Sequence, residues 1–191
     1  MNRRQETKQI AAIAIFMAVM LVIEIVSQSI FAAIPALPLK PTLTHIPVII
    51  ASIYYGPKVG AGLGTFMGIM SVVRNTILVT PASYIFSPFV DGGNFYSLLI
   101  AIVPRVLIGV TPYLIYKALH NTIGLGMAGA VGSMTNTLFV LGGIFFLFPD
   151  RFGGNVQSFL AAVLATNSLV EVAIATVLTM ILVPRLRSLK H

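Results

Sequence analysis

Five ionisable side chains fall inside strongly apolar stretches of this 191-residue sequence: Glu24, His45, Arg74, Arg105 and Glu171. An ionisable group in hydrocarbon is costly, so it usually faces a cavity or a partner group. Arg105 and Glu171 each lie near the middle of a stretch. They can form a buried ion pair with each other, or they can line a cavity that holds a polar solute, and both alternatives stay open.

Three asparagines accompany these groups: Asn75, Asn136 and Asn167. Asn167 and Glu171 are four residues apart, so they share one face of a helix. Pro104 directly precedes Arg105, and a proline inside a helix frees one backbone carbonyl that another group must satisfy. These residues predict a polar cavity bordered by the fourth, fifth and sixth apolar stretches.

Arg74 lies in the outer third of the third stretch, where it would face the mouth of such a cavity. A planar guanidinium suits a carboxylate ligand, because two parallel N–H groups can bond it. The alternative is that Arg74 reaches the outer lipid headgroups. For His45, which begins the second stretch beside Pro47, a packed or interfacial histidine is the default interpretation.

Catalytic motifs are not found. The sequence has no cysteine and three scattered histidines, and it carries no zinc-protease, nucleophile-elbow or phosphate-loop pattern. We therefore expect no catalytic site, no metal and no cofactor. A membrane hydrolase that uses Glu171 with His45 or His120 is disfavoured, because the two histidines fall at opposite membrane faces.

The elements that must position these residues are membrane helices. The composition is 57% hydrophobic and only 9% charged, with a mean hydropathy of +0.96, whereas soluble domains carry about 25% charged residues. We predict one all-α integral membrane domain, residues 1–191, without internal repeats. Six spans are predicted, at 10–30, 42–55, 59–78, 95–119, 123–148 and 156–183, of which the second is short for a complete crossing.

The distribution of basic residues predicts the orientation of the domain. With the amino terminus in the cytoplasm, eight lysines and arginines lie at cytoplasmic ends and only Lys40 and Arg151 lie outside. This bias follows the positive-inside rule. Six spans then place both termini in the cytoplasm.

Small residues recur at helical spacing in two of the predicted spans. Gly60, Gly64 and Gly68 form two overlapping GxxxG steps, which allow helix backbones to approach closely. Internal packing is the prediction for this ridge. Ala14 and Ala18 have the same spacing near the cytoplasmic end of the first span, where either internal packing or a partner subunit is possible.

Four segments resemble the substrate-binding S components of energy-coupling-factor (ECF) vitamin transporters, and the likeness extends over the whole chain. They are AIFMA at 14–18, LTHIPVIIA at 43–51, YGPKVGAGLG at 55–64 and FSPF at 86–89. The resemblance implies a six-helix S-component fold in a prokaryotic cell membrane, with a vitamin bound near the outer face beneath gating loops. It also implies two cytoplasmic ATPases and a transmembrane coupling subunit, on which Ala14 and Ala18 dock while the S component topples.

Within this family the sequence looks most like the pantothenate-specific members, and a pyridoxine-type substrate is the competing assignment. A binding site for pantothenate must supply one cation for its carboxylate, several neutral polar groups and an apolar wall. A lid is predicted from Tyr84, Phe86 and Phe89, and the predicted binding residues are Arg74, Asn75, Arg105, Asn136, Asn167, Glu171, His45, Tyr84 and Phe86. An autonomous proton-coupled carrier that uses Glu24 or Glu171 is the other alternative.

Overall fold

The fold is helical throughout the part of the chain that the computed structural model describes, which comprises residues 3–33, 42–149, 155–164 and 166–188. These residues form eight α-helices and one 3₁₀ turn, and no strand. The helices are α1 (Arg3–Ala33), α2 (His45–Tyr55), α3 (Pro57–Ile77), α4 (Phe95–Ile108), α5 (Thr111–Ala118), α6 (Thr122–Leu147), α7 (Val156–Val163) and α8 (Thr166–Ser188). The 3₁₀ turn is Ser83–Ile85. The predicted all-α class is therefore confirmed.

Four helical stretches are long and apolar enough to cross a membrane: Gln9–Ile30, Phe95–Ala118, Thr122–Leu147 and Val156–Ser188. Two of them are interrupted. The second consists of α4 and α5, which are separated at Gly109 and Val110, and the fourth consists of α7 and α8. The predicted spans did not include either break, although Gly109 and Pro112 stand at the first and polar residues at 166–168 stand at the second.

The helices α2 and α3 form a tight pair. Helix α2 has only 11 residues, so it begins three residues later than the predicted second span. Gly56 joins it to α3 with a φ of 94°, in the left-handed region that favours glycine. Pro57 then occupies the first turn of α3, where its missing N–H costs nothing. Helix α3 is 21 residues long, but its glycines and Arg74 make it less apolar than the four stretches above.

The core is built around α2, in which every residue from His45 to Ile53 is buried. Helices α3, α5, α6 and α8 all contact it, and α1 packs along its outer side. The apolar side chains at the centre include Val48, Ile49 and Leu63. Because α2 is enclosed on nearly all sides, it can cross this fold without the length of an isolated membrane helix.

Glycines set the distance between α3 and α4. A Cβ atom on Gly60 would lie 2.2 Å from the Gly109 carbonyl oxygen, and one on Gly64 would lie 2.0 Å from the Arg105 carbonyl oxygen. Ser52 also donates a hydrogen bond of 2.7 Å to the Gly109 carbonyl. These contacts confirm the prediction that the GxxxG ridge serves internal packing.

The two ends of the bundle differ in chemistry. One end carries Lys58, Lys117, Arg185 and Arg187, and we call it the basic end. There Arg187 donates to the Tyr116 hydroxyl and its guanidinium carbon lies 4.7 Å from the ring centroid. The opposite end, where α2 begins and residues 78–94 connect α3 to α4, is called the loop end. The sequence predicts that the basic end faces the cytoplasm.

Helix α1 lies at the periphery and touches the bundle along one stripe. Phe16 packs edge-to-face on Tyr55 with the ring centroids 6.1 Å apart, and Met20 is fully buried. Ala14 and Ala18 are exposed on the opposite side of the helix. Since Phe16 contacts the last residue of α2, these alanines lie toward the basic end.

Candidate functional site

Arg105 is the most deeply buried cation in the described part of the chain, with 8% of its surface exposed. Pro104 has no N–H and therefore leaves the Ile100 carbonyl without its helical partner. Arg105 itself fills that position, because its Nη1 donates to the Ile100 oxygen at 2.7 Å. The side chain is thus turned back along α4 toward the loop end.

One edge of this guanidinium has no partner. The Nε atom of Arg105 is buried without a hydrogen bond, and the described residues accept none from Nη2. Nε–H and Nη2–H are parallel donors on one edge, which is the arrangement that binds a carboxylate through two bonds. A buried polar atom without a partner is costly, so this edge indicates a site for an anionic group.

Phe86 lies against the same guanidinium, whose central carbon is 5.5 Å from the ring centroid. The loop that carries Phe86 is anchored by two bonds: Ser97 Oγ donates to the Tyr84 carbonyl, and the Thr76 and Ser87 hydroxyls are 2.6 Å apart. Tyr84 packs instead on Phe148, with the centroids 5.7 Å apart. Of the predicted lid residues Tyr84, Phe86 and Phe89, Phe86 covers Arg105, Tyr84 lies against the end of α6, and Phe89 is exposed.

Arg74 already has an acidic partner. Its Nη1 donates to Glu24 Oε1 at 2.7 Å, and the Arg74 and Glu24 side chains are 36% and 21% exposed. The two arginines line one cavity of about 30 Å³ together with Ser71, whose hydroxyl is buried without a partner. This volume is close to that of one water molecule, so Arg74 and Glu24 close this side of the Arg105 site.

Asn75 uses its side-chain amide within the protein. Its Nδ2 donates to the Ser71 carbonyl at 2.8 Å, and its Oδ1 accepts from Ser83 Oγ at 3.2 Å. The second bond attaches the 3₁₀ turn to α3. Asn75 therefore lies beside the predicted cavity and supports the loop that carries Phe86.

His45 and Asn136 contribute further buried polar atoms without hydrogen bonds. His45 is fully buried, and among the described residues neither ring nitrogen has a partner of good geometry, although the Thr42 backbone lies beside the ring. Asn136 is 8% exposed, and its Oδ1 has no partner there either. The nearby Ser133 hydroxyl on α6 is also buried without a hydrogen-bond partner among the described residues. Buried polar groups are normally hydrogen-bonded, so this cluster also favours a ligand site.

Glu171 is 7% exposed, and its Oε1 accepts a hydrogen bond of 2.6 Å from the Thr42 backbone. Arg105 and Glu171 are both described, and they do not form an ion pair. The ion-pair alternative is therefore wrong, because Arg105 donates to a carbonyl of its own helix, whereas Glu171 accepts from the backbone of Thr42, which precedes α2. The predicted companion Asn167 lies on α8, but its side chain is outside the described residues.

Sequence reasoning identified Glu24 as an ionisable group but did not assign it to the site. Its partner Arg74 is 50 residues away, and only the depths of the two residues in adjacent helices could have suggested the pair. The freed Ile100 carbonyl was foreseeable from Pro104. That Arg105 would satisfy this carbonyl with its own side chain was not.

A wide groove on the described surface has different chemistry. It measures about 670 Å³, lies between α4 and α6, and is lined by Leu99, Val103, Leu138, Phe139 and Phe146 among others. Its walls are almost wholly apolar and face outward. Such a surface suits lipid chains, so the buried polar cluster is the candidate site for a polar solute.

Comparison with known proteins decides the family. Residues 8–183 match the family described as ECF transporter, substrate-specific component. The chain belongs to this family of S components. It is 41% identical over 194 residues to the pantothenic acid transporter PanT of Lactococcus lactis subsp. cremoris, covering 99% of this chain and 98% of that protein. It is also 26% identical to the pantothenate transporter PanT of Leuconostoc mesenteroides subsp. mesenteroides, covering 91% and 89%.

Family membership confirms the resemblance that the four short segments carried. As an S component, the protein is the substrate-specific part of a vitamin-uptake system rather than an enzyme. Its apolar helices agree with a multi-pass membrane protein. Which of the predicted residues hold the substrate is a separate question, since the family match extends over the whole chain and singles out no residue.

Proposed function

We propose that this protein is the pantothenate-binding S component of an ATP-driven ECF importer. The names of the two relatives support the substrate, and the 41% identity covers nearly the full length of both chains. The orientation follows the positive-inside rule, with the basic end in the cytoplasm and the loop end outside. Pantothenate then binds from outside, near the loop end.

The observation that carries this proposal is the unpartnered edge of Arg105. Pantothenate is a small anion with one carboxylate, and Nε–H and Nη2–H of a buried arginine supply two parallel bonds to such a group. A carboxylate there also neutralises a cation that otherwise has no acidic partner among the described residues. Phe86 covers the pair from the loop side.

The other predicted binding residues take secondary places in this proposal. Arg74 lies at the mouth and is held by Glu24, so it guides the anion inward more than it anchors it. The amide and hydroxyl groups of the vitamin are bound by neutral and acidic residues of the cavity, namely His45, Asn75, Asn136, Asn167 and Glu171. Tyr84 belongs to the loop that closes the cavity.

Transport requires partners in this scheme. A transmembrane coupling subunit binds the exposed α1 face that carries Ala14 and Ala18, and two cytoplasmic ATPases supply the energy. The loop between α3 and α4 opens and closes the site. The other predicted gate, the loop between α1 and α2 at 34–41, lies outside the described residues. The S component topples in the membrane to release the vitamin inside.

The test is calorimetric titration of the purified protein in detergent with pantothenate, followed by pyridoxine, folate, thiamin and riboflavin. We expect one-to-one binding of pantothenate alone. Replacing Arg105 with glutamine should weaken that binding by about 30- to 1,000-fold, as expected when one partner of a buried charge pair is removed. Arg185→Gln, an exposed arginine at the basic end, serves as the control.

Two results would contradict the proposal. Tight binding of another vitamin would reassign the substrate, and uptake into liposomes without ATPases would identify an autonomous carrier. If pantothenate binds equally well to the folded Arg105→Gln protein, then Arg105 is not the anchor. Gel filtration and thermal melting of the variant distinguish lost binding from lost folding.

A further inference from the structure

Four helices bring buried polar groups to one level of the bundle. Packing contacts give the register: a Cβ on Gly132 of α6 would lie 2.8 Å from Ile49 of α2. One helical turn toward the loop end, at four residues per step, α2 presents His45 and α6 presents Asn136. Both side chains have buried atoms without hydrogen bonds.

The backbones of Glu171 on α8 and Arg105 on α4 lie about three residues nearer the basic end than those of His45 and Asn136, and their side chains reach toward the loop end to Thr42 and the Ile100 carbonyl. Gly129 lies against the Ala175 carbonyl of α8, so one turn toward the loop end places Glu171 opposite Ser133. On α4, Gly109 lies against Gly60 near Ser52, and one turn toward the loop end is Arg105. We call His45, Arg105, Asn136 and Glu171 the polar layer.

Within the polar layer the two charged groups are kept apart. Arg105 is 8% exposed and Glu171 is 7% exposed, yet no ion pair joins them. Each has one backbone bond, Arg105 to the Ile100 carbonyl and Glu171 to the Thr42 amide. The described residues leave the Nε/Nη2 edge of Arg105 without a partner. Glu171 is bonded by the backbone and the side chain of Thr42, but a carboxylate has about four acceptor sites, so it can accept further hydrogen bonds. Buried charges normally acquire partners, so the layer suits a ligand with an anionic end and a hydrogen-donating end.

This separation of charge gives the ligand a direction, an inference that rests on the proposed function. Pantothenate carries its carboxylate at one end, two hydroxyl groups at the other and an amide between them. We infer that the carboxylate binds Arg105 on α4 while the hydroxyl end points to Glu171 on α8, with His45 and Asn136 bonding the groups between. Glu171 is then a specificity-determining residue that accepts hydrogen bonds from the hydroxyl end.

The orientation also predicts which related molecules are refused. A phosphate ester at the terminal hydroxyl would place negative charge beside a buried carboxylate, and like charges at an interface cost several kcal/mol. The protein should therefore bind the free vitamin and reject 4′-phosphopantothenate. Pantothenol, in which an alcohol replaces the carboxylate, should lose the interaction at the other end, with Arg105.

The experiment measures the affinities of pantothenate, pantothenol and 4′-phosphopantothenate by calorimetry for the wild type and two variants. For the wild type we expect pantothenol to bind about 30-fold or more weakly and the phosphate ester about 100-fold or more weakly. Glu171→Gln should reduce the penalty on the phosphate ester at least tenfold and leave the pantothenol ratio unchanged. Arg105→Gln should reduce the penalty on pantothenol and leave the ratio for the phosphate ester unchanged. Asp91→Asn, an exposed acid in the loop, should change neither ratio.

Each contrary result has one meaning. If Glu171→Gln alters the pantothenol ratio instead of the phosphate ratio, the ligand lies in the opposite direction and the inference is overturned. It is also overturned if the wild type binds the phosphate ester as well as pantothenate, a result that needs no variant and so does not depend on the folding of Glu171→Gln. Failure of the wild type to bind pantothenate at all would instead reject the proposed function.

Discussion

The two ends of the bundle differ in how their buried groups are packed and hydrogen-bonded. Toward the basic end, α3 and α4 touch backbone to backbone at Gly60 and Gly64, and the side chains around them are apolar. Toward the loop end, the same helices carry buried polar atoms that have no partners in the described part of the chain, among them Arg105 Nε and Ser71 Oγ. Close packing holds the fold together at one end, whereas the other end contains buried polar groups that the described residues leave unpaired.

Helix α3 shows this change along its own length. Its first half presents the glycine ridge to α4, whereas its last turn presents Arg74 to Glu24 and Asn75 to the 3₁₀ turn. About two helical turns separate Gly64 from the beginning of the polar segment at Ser71. Substitutions on either side of this boundary should therefore have separable effects on folding, binding and transport.

The largest expected effect is a loss of transport without a loss of binding, caused by substitutions in α1 toward the basic end. Ala14→Leu combined with Ala18→Leu should abolish vitamin uptake by the assembled transporter, because the added bulk blocks docking on an exposed face. Pantothenate binding by the isolated protein should stay unchanged, since both alanines lie away from the polar layer. Uptake assays in proteoliposomes and calorimetry measure the two properties.

Ala173→Leu is the matched control for this pair, because Ala173 is an exposed alanine on α8. It should leave uptake intact. Loss of binding in the Ala14/Ala18 variant, or equal loss of uptake in the control, would remove the assignment of a docking face to α1.

A smaller effect is expected for packing at the glycine ridge. Gly64→Ala would place a Cβ 2.0 Å from the Arg105 carbonyl oxygen, and we expect it to lower the free energy of unfolding by about 1–3 kcal/mol or more. Gly62→Ala is the control on the same helix, with no atom within 4 Å of the new Cβ. Its melting temperature should stay the same or rise, since alanine favours helix. Similar melting temperatures for the two variants would contradict the close packing.

The smallest effect concerns the Glu24–Arg74 pair at the loop end. The pair is partly exposed, and such pairs contribute about 0–1 kcal/mol. We expect Arg74→Gln to weaken pantothenate binding by only about threefold, as for a charge at the rim of an interface. If it weakens binding as much as Arg105→Gln, the two arginines share the carboxylate, and the distinction between mouth and anchor is lost.

Apolar runs and basic residues were sufficient to predict the helices, because each property is read directly from local sequence. The breaks at Gly109 and between α7 and α8 were not predicted, because a glycine, a proline or a few polar residues inside an apolar run are also compatible with a continuous membrane helix. The site was predicted in part. Arg105 was recognised from its depth and from Pro104, whereas depth alone could not decide between an ion pair with Glu171 and a polar cavity, and both alternatives stayed open.

The partners of buried charges explain this difference. Thr42 binds Glu171 across 129 residues of sequence, and Glu24 binds Arg74 across 50. Such pairings depend on how helices are arranged side by side. Periodicity and hydropathy describe each helix alone, so they identify the charged residues without assigning their partners.

The bond between Arg105 and the Ile100 carbonyl has a consequence for folding and for variation among related chains. It joins residues only five positions apart, so the guanidinium can take its direction as soon as α4 forms, before the helices assemble. The opposite end of the polar layer, where Glu171 meets Thr42, exists only in the completed bundle. Substitutions elsewhere in the polar layer should therefore leave the direction of this guanidinium unchanged, in this chain and in related chains that keep the segment from Ile100 to Arg105.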